Sequence, residues 1–183
     1  MAKTTTNGHA NDKAVYDESK IKTLSSLEHI RLRTGMYIGR LGSGSDLDDG
    51  IYILLKEIVD NSVDEFIMGH GKQVDVTIDE DLVKVRDYGR GIPLGKIVEC
   101  VSVINTGAKY NDDVFQFSVG LNGVGTKAVN ALSSHFVVRA YRDGKYAEAV
   151  FSRGDLLSQK KGNTPNEPDG TYFEFLPDTE IFS

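Results

Sequence analysis

The chain has 183 residues, 39% of them hydrophobic and 26% charged, with a formal net charge of −6. That is length enough for one domain with a real core and hardly for two, and an acidic balance argues against a domain that grips nucleic acid over its own surface. One cysteine, Cys100, excludes an internal disulfide and fits a reducing cytoplasm, while one Cys and four scattered His give no zinc-ligand spacing.

The opening "MAKTTTNGHANDKAVYDES" has no apolar stretch that could serve as a secretory signal, and residues 1–15 read as a flexible arm before a domain spanning 16–183. Basic residues gather early (Lys20, Lys22, Arg31, Arg33, Arg40), but no aromatics are interleaved as a single-strand binder would need. Leu24 to Arg33 suggests a short helix capped by Ser25 or Ser26. "GMYIGRLGSGSDLDDG" reads as a loop, and a long acidic helix follows to Met68. Its apolar positions are expected at Ile51, Leu55, Ile58 or Val59, Val63 and Phe66. The run "IYILL" inside it is far too short to span a membrane.

"KQVDVTI" and "LVKVRD" are strands joined by the turn "DED", and a short helix is expected around Lys96–Ile104. From Thr106 to Asn122 the sequence has no sustained period and reads as a long loop. "TKAVNALSS" is helical, "HFVVRAYRDGKYAEAVFS" is a hairpin about Asp143-Gly144, "QKKGNTPNEPDG" reads as a loop, and "TYFEFLP" is a last strand. Antiparallel strand pairs with interspersed helices make the class α+β.

In "KEIVDNSVDEF", Glu57, Asn61 and Asp64 form a stripe beside the apolar one; taken alone, that stripe reads as the solvated side of an amphipathic helix. Three features disturb a purely structural reading: the inward Asp87 and Thr171, a glycine cluster before a helix, and the long loop with Lys109 inside it, which reads as a lid or else as disorder. Strand alternation turns Asp87 and Thr171 inward, beside Val83 and Val85 and beside Phe173 and Phe175. Each has a bland reading, a turn-capping acid and a backbone-bonded Thr; together they could read the polar edge of a flat ring in an apolar pocket. Finally, Gly120, Gly123 and Gly125 stand directly before a helix, where backbone N–H groups attract phosphate, although neither the Walker order nor the dinucleotide spacing is present.

Taken in order, "EIVDNSVDE", "DYGRGIP", "GLNGVGTKAVNALS" and "GTYFEF" resemble the nucleotide-binding motifs of the ATPase superfamily shared by gyrase, Hsp90, histidine kinases and MutL. "GMYIG" and "TGAKYNDDVFQFSVGLNGVG" narrow the resemblance to B subunits of bacterial type II topoisomerases, and "DNSVDE", "QFS" and "RDG" to the topoisomerase IV branch over the gyrase branch. The match runs from about Tyr16 to the C-terminus.

The resemblance implies a Bergerat-type two-layer α/β sandwich, with helices on one face of a mixed, mostly antiparallel sheet. It implies ATP and Mg²⁺ as cofactors. Glu57 would be the general base that activates water, and Asn61 the Mg²⁺ ligand, which suits a cation that prefers oxygen donors and keeps several waters. Glu65 would pair with Arg90, Asp64 would face the same pocket, and Asp60 would be structural. Asp87 would accept the adenine amino group, with Thr171 and Gly91 at that polar end and Ile92 and Pro93 as an apolar wall. Gly123, Val124 and Gly125 would offer N–H groups to the phosphates, and Lys109, in the long loop acting as a lid, would add positive charge. Arg142 would stand at the pocket mouth where coumarin-type inhibitors bind, and Tyr16 where an arm reaches the partner subunit's nucleotide.

The implied activity is that of an ATP-operated clamp: ATP closes a homodimer around a DNA duplex, with an A-type subunit as further partner and no membrane. The chain is expected to be an excised nucleotide-binding domain, without the segments that transmit closure or cut DNA. Thr34, Tyr88 and Asn122 depart from the common pattern, where proline, an acid and histidine are frequent, and the link after "GIP" is short. Other readings are a nucleotide-binding module that does not hydrolyse ATP as an isolated fragment, a kinase or chaperone ATPase of the same superfamily, and a purely structural domain. "GMYIG" and the lid argue against the kinase or chaperone, and the conjunction of Asp87, the glycines and Glu57 against the structural domain.

Overall fold

The computed structural model describes residues 24–104 and 123–182. Helix α1 (Ser26–Leu32) starts at a capping box in which the Ser25 hydroxyl accepts from the Glu28 N–H and the Glu28 carboxylate accepts from the Ser25 N–H. One helical turn, α2 (Gly35–Ile38), follows inside the stretch expected as loop. Helix α3 (Gly50–Ile67) is the acidic helix. Strands β1 (Val74–Asp79) and β2 (Leu82–Asp87) form the first hairpin. A 3-10 turn (Leu94–Lys96) leads into α4 (Ile97–Ser102), and α5 is Gly125–Ala131. Strands β3 (Ser133–Arg142), β4 (Lys145–Ser152), β5 (Asp155–Asn163) and β6 (Gly170–Pro177) complete the chain.

The six described strands form one sheet in the order β1-β2-β6-β3-β4-β5, antiparallel at every pairing. The sheet is therefore less mixed than expected, while the α+β class holds. The β3–β4 hairpin turns at Asp143 (φ 51°) and Gly144 (φ 70°), both left-handed as a two-residue type I′ turn requires.

Helices α3, α4 and α5 pack on one face of the sheet. Between them lies the core, with Leu54 and Ile58 from α3, Val85 from β2, Phe136 and Val138 from β3, Phe151 from β4, and Phe173 and Phe175 from β6. Phe136 meets Phe151 and Phe173 with ring centroids 6.1 and 6.0 Å apart. Fully burying a ring of this kind contributes about 1.5–3 kcal/mol, so these four phenylalanines anchor the helical layer to the sheet.

Two sequence readings need correction. The buried line of α3 is Gly50, Leu54, Ile58 and Ser62, a strict i, i+4 run, whereas Phe66 is 60% exposed. The helix is thus rotated from the expected stripe, and the rotation carries Asp64 into a buried position at 2% exposure. Of the stretch expected as loop, "QKKGN" is the end of strand β5. It lies at the sheet edge, paired to β4 alone, so both its faces stay polar and no alternation marks it.

Candidate functional site

Helix α3 presents its polar stripe to two different neighbours. Towards its N-terminal half, the Glu57 carboxylate lies against the Cα of Gly125, the first residue of α5; a Cβ there would overlap Glu57 Oε2. Only glycine lets a carboxylate rest directly on that backbone. One turn on, the Asn61 side-chain NH₂ donates to the Glu57 carbonyl at 2.6 Å. A carbonyl can only accept, so the bond fixes the amide orientation and leaves Oδ1 as the atom Asn61 can offer to a cation.

Towards the C-terminal half, Glu65 takes a forked bond from Arg90 (Nε to Oε2 3.1 Å, Nη2 to Oε1 2.9 Å) and also accepts the Arg90 N–H at 3.0 Å. Burial opposes the charge on Glu65, but these bonds outweigh it and hold its carboxyl below the usual range. Gly89 packs so closely that a Cβ would stand 2.8 Å from Glu65 Oε2. The pair expected from the sequence is therefore formed. Asp60 ion-pairs with Lys56 one turn before it.

Below α3, Asp87 ends β2 at 5% exposure and Thr171 follows the first residue of β6 at 5%. Asp87 Oδ1 accepts the Gly89 N–H at 3.0 Å and the Thr171 N–H at 3.1 Å. Its Oδ2 stands 3.5 Å from the Ser62 hydroxyl. Burial pushes the Asp87 carboxyl up, the two N–H bonds work against that, Glu65 adds to it and Arg86 opposes it; the net shift is upward. Both inward-facing polar residues read from strand alternation are thus where they were expected, and they meet each other.

Gly91 (φ 72°) closes this end: a Cβ would stand 2.5 Å from the Tyr141 carbonyl and 2.8 Å from that of Gly170. Arg142 Nη1 donates to the Gly91 carbonyl at 3.4 Å. Ile92 packs partly buried against the core and Pro93 is exposed. On the α5 side, Gly123 (φ 59°) and Val124 lead into the helix, with Val124 its N-cap residue. The structure so brings Glu57 to Gly125, Asn61 to Glu57, Glu65 to Arg90, Thr171 to Asp87 and Arg142 to Gly91, with Asp64 buried on α3 and Gly123 and Val124 leading into Gly125. Tyr16, Lys109 and Asn122 lie outside the described residues.

Two residues were missed. Ser62 continues the buried i, i+4 line of Leu54 and Ile58, and a serine at the next step of that line was the available signal. Arg86, next to Asp87, is only 9% exposed, with its guanidinium between the rings of Tyr88 and Tyr141. Those tyrosines come from different parts of the chain, so no local pattern could join them. Among the described residues no group of three or more His, Cys, Asp or Glu is arranged to hold a metal ion, and no helix is long and apolar enough to cross a membrane.

Residues 46–181 match the family described as histidine kinase-, DNA gyrase B-, and HSP90-like ATPase. The chain is 70% identical over 167 residues to the B subunit of DNA topoisomerase 4 from Borreliella burgdorferi, covering 91% of this chain and 28% of that protein. It is 41% identical to the B subunit of DNA gyrase from Enterococcus faecalis, covering 92% and 27% respectively. The chain therefore spans under a third of the length of these relatives. Its fold is similar to the crystal structure of the 43K ATPase domain of Thermus thermophilus gyrase B in complex with an aminocoumarin, with a TM-score of 0.69 and 33% identity, over 87% of this chain and 41% of that one. The chain thus belongs to the histidine kinase-, DNA gyrase B-, and HSP90-like ATPases, as an ATPase domain homologous to the B subunits of type II topoisomerases.

Proposed function

We propose that this domain binds ATP with Mg²⁺ along α3 and hydrolyses it, the adenine at the Asp87 end and the triphosphate at the Gly125 end. The observation that carries the reading is the Glu57 carboxylate resting on the first residue of α5, so that a candidate base stands at a helix N-terminus, the kind of place that attracts phosphate. Glu57 then holds the attacking water and takes its proton. Asn61 Oδ1 fits a Mg²⁺ that keeps most of its shell from phosphate oxygens and water, because such an ion needs only one or two protein ligands. When bound, the ion neutralises charge developing on the phosphates.

Asp87 accepts the adenine amino group, beside Thr171 and Gly91, and Ile92 and Pro93 wall the ring. Asp64 faces the same pocket, Glu65 pairs with Arg90 beside it, Gly123 to Gly125 hold the phosphates, and Lys109 brings a further positive charge. Arg142 guards the mouth, where an aminocoumarin would bind. Residues 16–183 form this domain after an arm of residues 1–15, and Tyr16 at its start reaches a partner's nucleotide.

In the whole protein the domain is the ATP gate of a cytoplasmic topoisomerase IV. ATP closes a homodimer around one DNA duplex, working with an A-type subunit. Support for this branch comes from the 70% identity to a relative that carries that name. A calorimetric titration with a non-hydrolysable ATP analogue, with and without Mg²⁺, tests the reading: saturable binding strengthened by Mg²⁺ is expected, and no binding in either condition would overturn it.

A further inference from the structure

The β2–β6 ladder stops one residue short of the place where it matters. Its last pair is Arg86 with Tyr172, yet the contact between Asp87 and Thr171 lies one step beyond. There each residue keeps a ladder partner only on its outer side, Val74 for Asp87 and Ala140 for Thr171, and no β2–β6 pair joins the two.

The Arg86 side chain spans that gap. Its Nη1 donates to the Asp87 carbonyl, and its Nη2 donates to the Pro168 carbonyl at 2.6 Å and approaches Glu167 Oε1 at 3.4 Å. Gly170 sits between these contacts: a Cβ on it would overlap both the Asp87 carbonyl and Arg86 Nη1. One guanidinium thus ties the backbone of Asp87 to the turn that delivers Gly170 and Thr171.

The guanidinium is itself fixed. Tyr88 covers one face with its centroid 4.6 Å from Cζ, and Tyr141 lies 4.5 Å from it. The Tyr88 hydroxyl donates to Asp75 Oδ2 at 2.7 Å, which anchors that ring to β1. A planar, weakly hydrated cation suits this slot; an ammonium can neither stack nor fork in the same way.

We infer that Arg86, clamped between Tyr88 and Tyr141, is a positioning residue that sets nucleotide affinity by holding Asp87 in register with Thr171. It acts through the orientation of the Asp87 carboxylate. The inference rests on the proposed adenine-reading role of Asp87. Its charge also helps keep that carboxylate ionised, against the burial and the nearby Glu65 that oppose ionisation, Glu65 itself being paired with Arg90.

The test is a double-mutant cycle on the whole domain, read by calorimetry with a non-hydrolysable ATP analogue and Mg²⁺. Arg86→Gln should weaken binding roughly tenfold, the scale of a coupled buried contact. In an Asp87→Asn background the same change should weaken it less than about threefold, because the group it positions is already altered. Native-like binding by Arg86→Gln, or an equal loss in both backgrounds, would overturn the inference. If Asp87→Asn alone binds as well as native, the adenine reading fails instead. The Thr171 N–H exchange rate, which involves no nucleotide, then decides: faster exchange in Arg86→Gln supports positioning, and an unchanged rate refutes it. Should Arg86→Gln not fold, Arg86→Lys, which keeps the charge and loses the fork, enters the same cycle with the same expected pattern.

Discussion

Glu57 and Gly125 are in direct contact across the α3–α5 junction, carboxylate oxygen against Cα, and no side chain larger than hydrogen fits between them. The contact makes the position of a carboxylate depend on a residue without chemistry of its own. Gly125→Ala would favour α5 by up to about 1 kcal/mol through helix propensity while forcing Glu57 aside. Displacing a reacting group by about 1 Å can cost roughly a hundredfold in rate, so turnover should fall on that scale with the melting temperature little changed. Phosphate release by the full-length protein measures it. Undiminished turnover would show that Glu57 does not work from this position.

Glu57→Gln keeps the shape and removes the base. Turnover should fall by roughly two to four orders of magnitude with nucleotide binding retained, the usual scale for general-base catalysis. Normal hydrolysis by this variant would rule out the role.

Much of this arrangement was legible in the sequence, and the exceptions have physical causes. Strand alternation placed Asp87 and Thr171 correctly because both strands lie in the middle of the sheet, one face on the core, where a period of two is enforced. The hairpin at Asp143-Gly144 was readable because few residues tolerate two left-handed positions. Helix α3 was misread at Leu55 and Phe66, while Ile58 was one of two alternatives, because apolar residues occupy both sides of its buried line and only packing selects Leu54 over Leu55 and Ile58 over Val59. Strand β1 was found by alternation, yet Val76 and Ile78 are 45% and 58% exposed, since the edge of the sheet outruns the helices that cover it. The Arg86 clamp needs residues 141 and 168 brought together by the fold, so no window of sequence contains it.

Asp87 should make nucleotide binding pH-dependent. Its carboxyl is raised above the ordinary 3.8, first by burial. A raised acid stabilises the empty fold below its unfolded pKa, and that contribution is lost as pH rises through the folded value. An adenine amino group prefers the charged form, so affinity should rise with pH through the same interval and binding should release protons there. Asp87→Asn should lose about 1–3 kcal/mol of affinity together with this pH dependence, and GTP should bind the native domain poorly. Titrations in buffers of different ionisation enthalpy count the protons. Equal native affinity for ATP and GTP, or identical pH profiles for native and Asp87→Asn, would sink the assignment.

Acid stability should depend on two other carboxylates with the opposite sign. Asp178, fully buried, receives Arg31 at 2.8 Å and Arg153 at 2.9 Å and so ties α1 to the end of β6. Burial works against its charge, but the bond from Arg31 and its neighbours hold its pKa below the ordinary value, as Arg90 does for Glu65. Depressed acids contribute stability above their unfolded pKa and lose it as pH falls through the folded value. The urea midpoint should therefore drop below about pH 4, and Asp178→Asn should flatten that drop. At neutral pH the substitution should cost about 2–3 kcal/mol, less than a fully buried broken pair because both arginines reach solvent. An unchanged acid limb in Asp178→Asn would remove Asp178 from the account.

Ser62 separates packing from hydrogen bonding beneath the same carboxylate. It is 2% exposed on the buried line of α3, and its hydroxyl lies 3.5 Å from Asp87 Oδ2, at the outer limit for a bond. Ser62→Ala removes that weak contact and leaves the space almost unchanged, so stability should move by less than about 1 kcal/mol and ATP affinity by less than roughly threefold. Ser62→Val instead puts a branched, bulkier side chain against Asp87 at a position only 2% exposed, beside a cavity of about 120 Å³ lined by Ser62, Asp87 and Gly89. Overpacking of this kind costs about 1–3 kcal/mol, and here it should also push Asp87 away from Thr171, so that affinity falls tenfold or more. Thermal melts and titrations of the two variants side by side test the order. If Ser62→Ala weakens ATP as much as Asp87→Asn does, the hydroxyl itself reads the nucleotide; if Ser62→Val binds like native, the neighbouring cavity takes up the added bulk and Asp87 does not move.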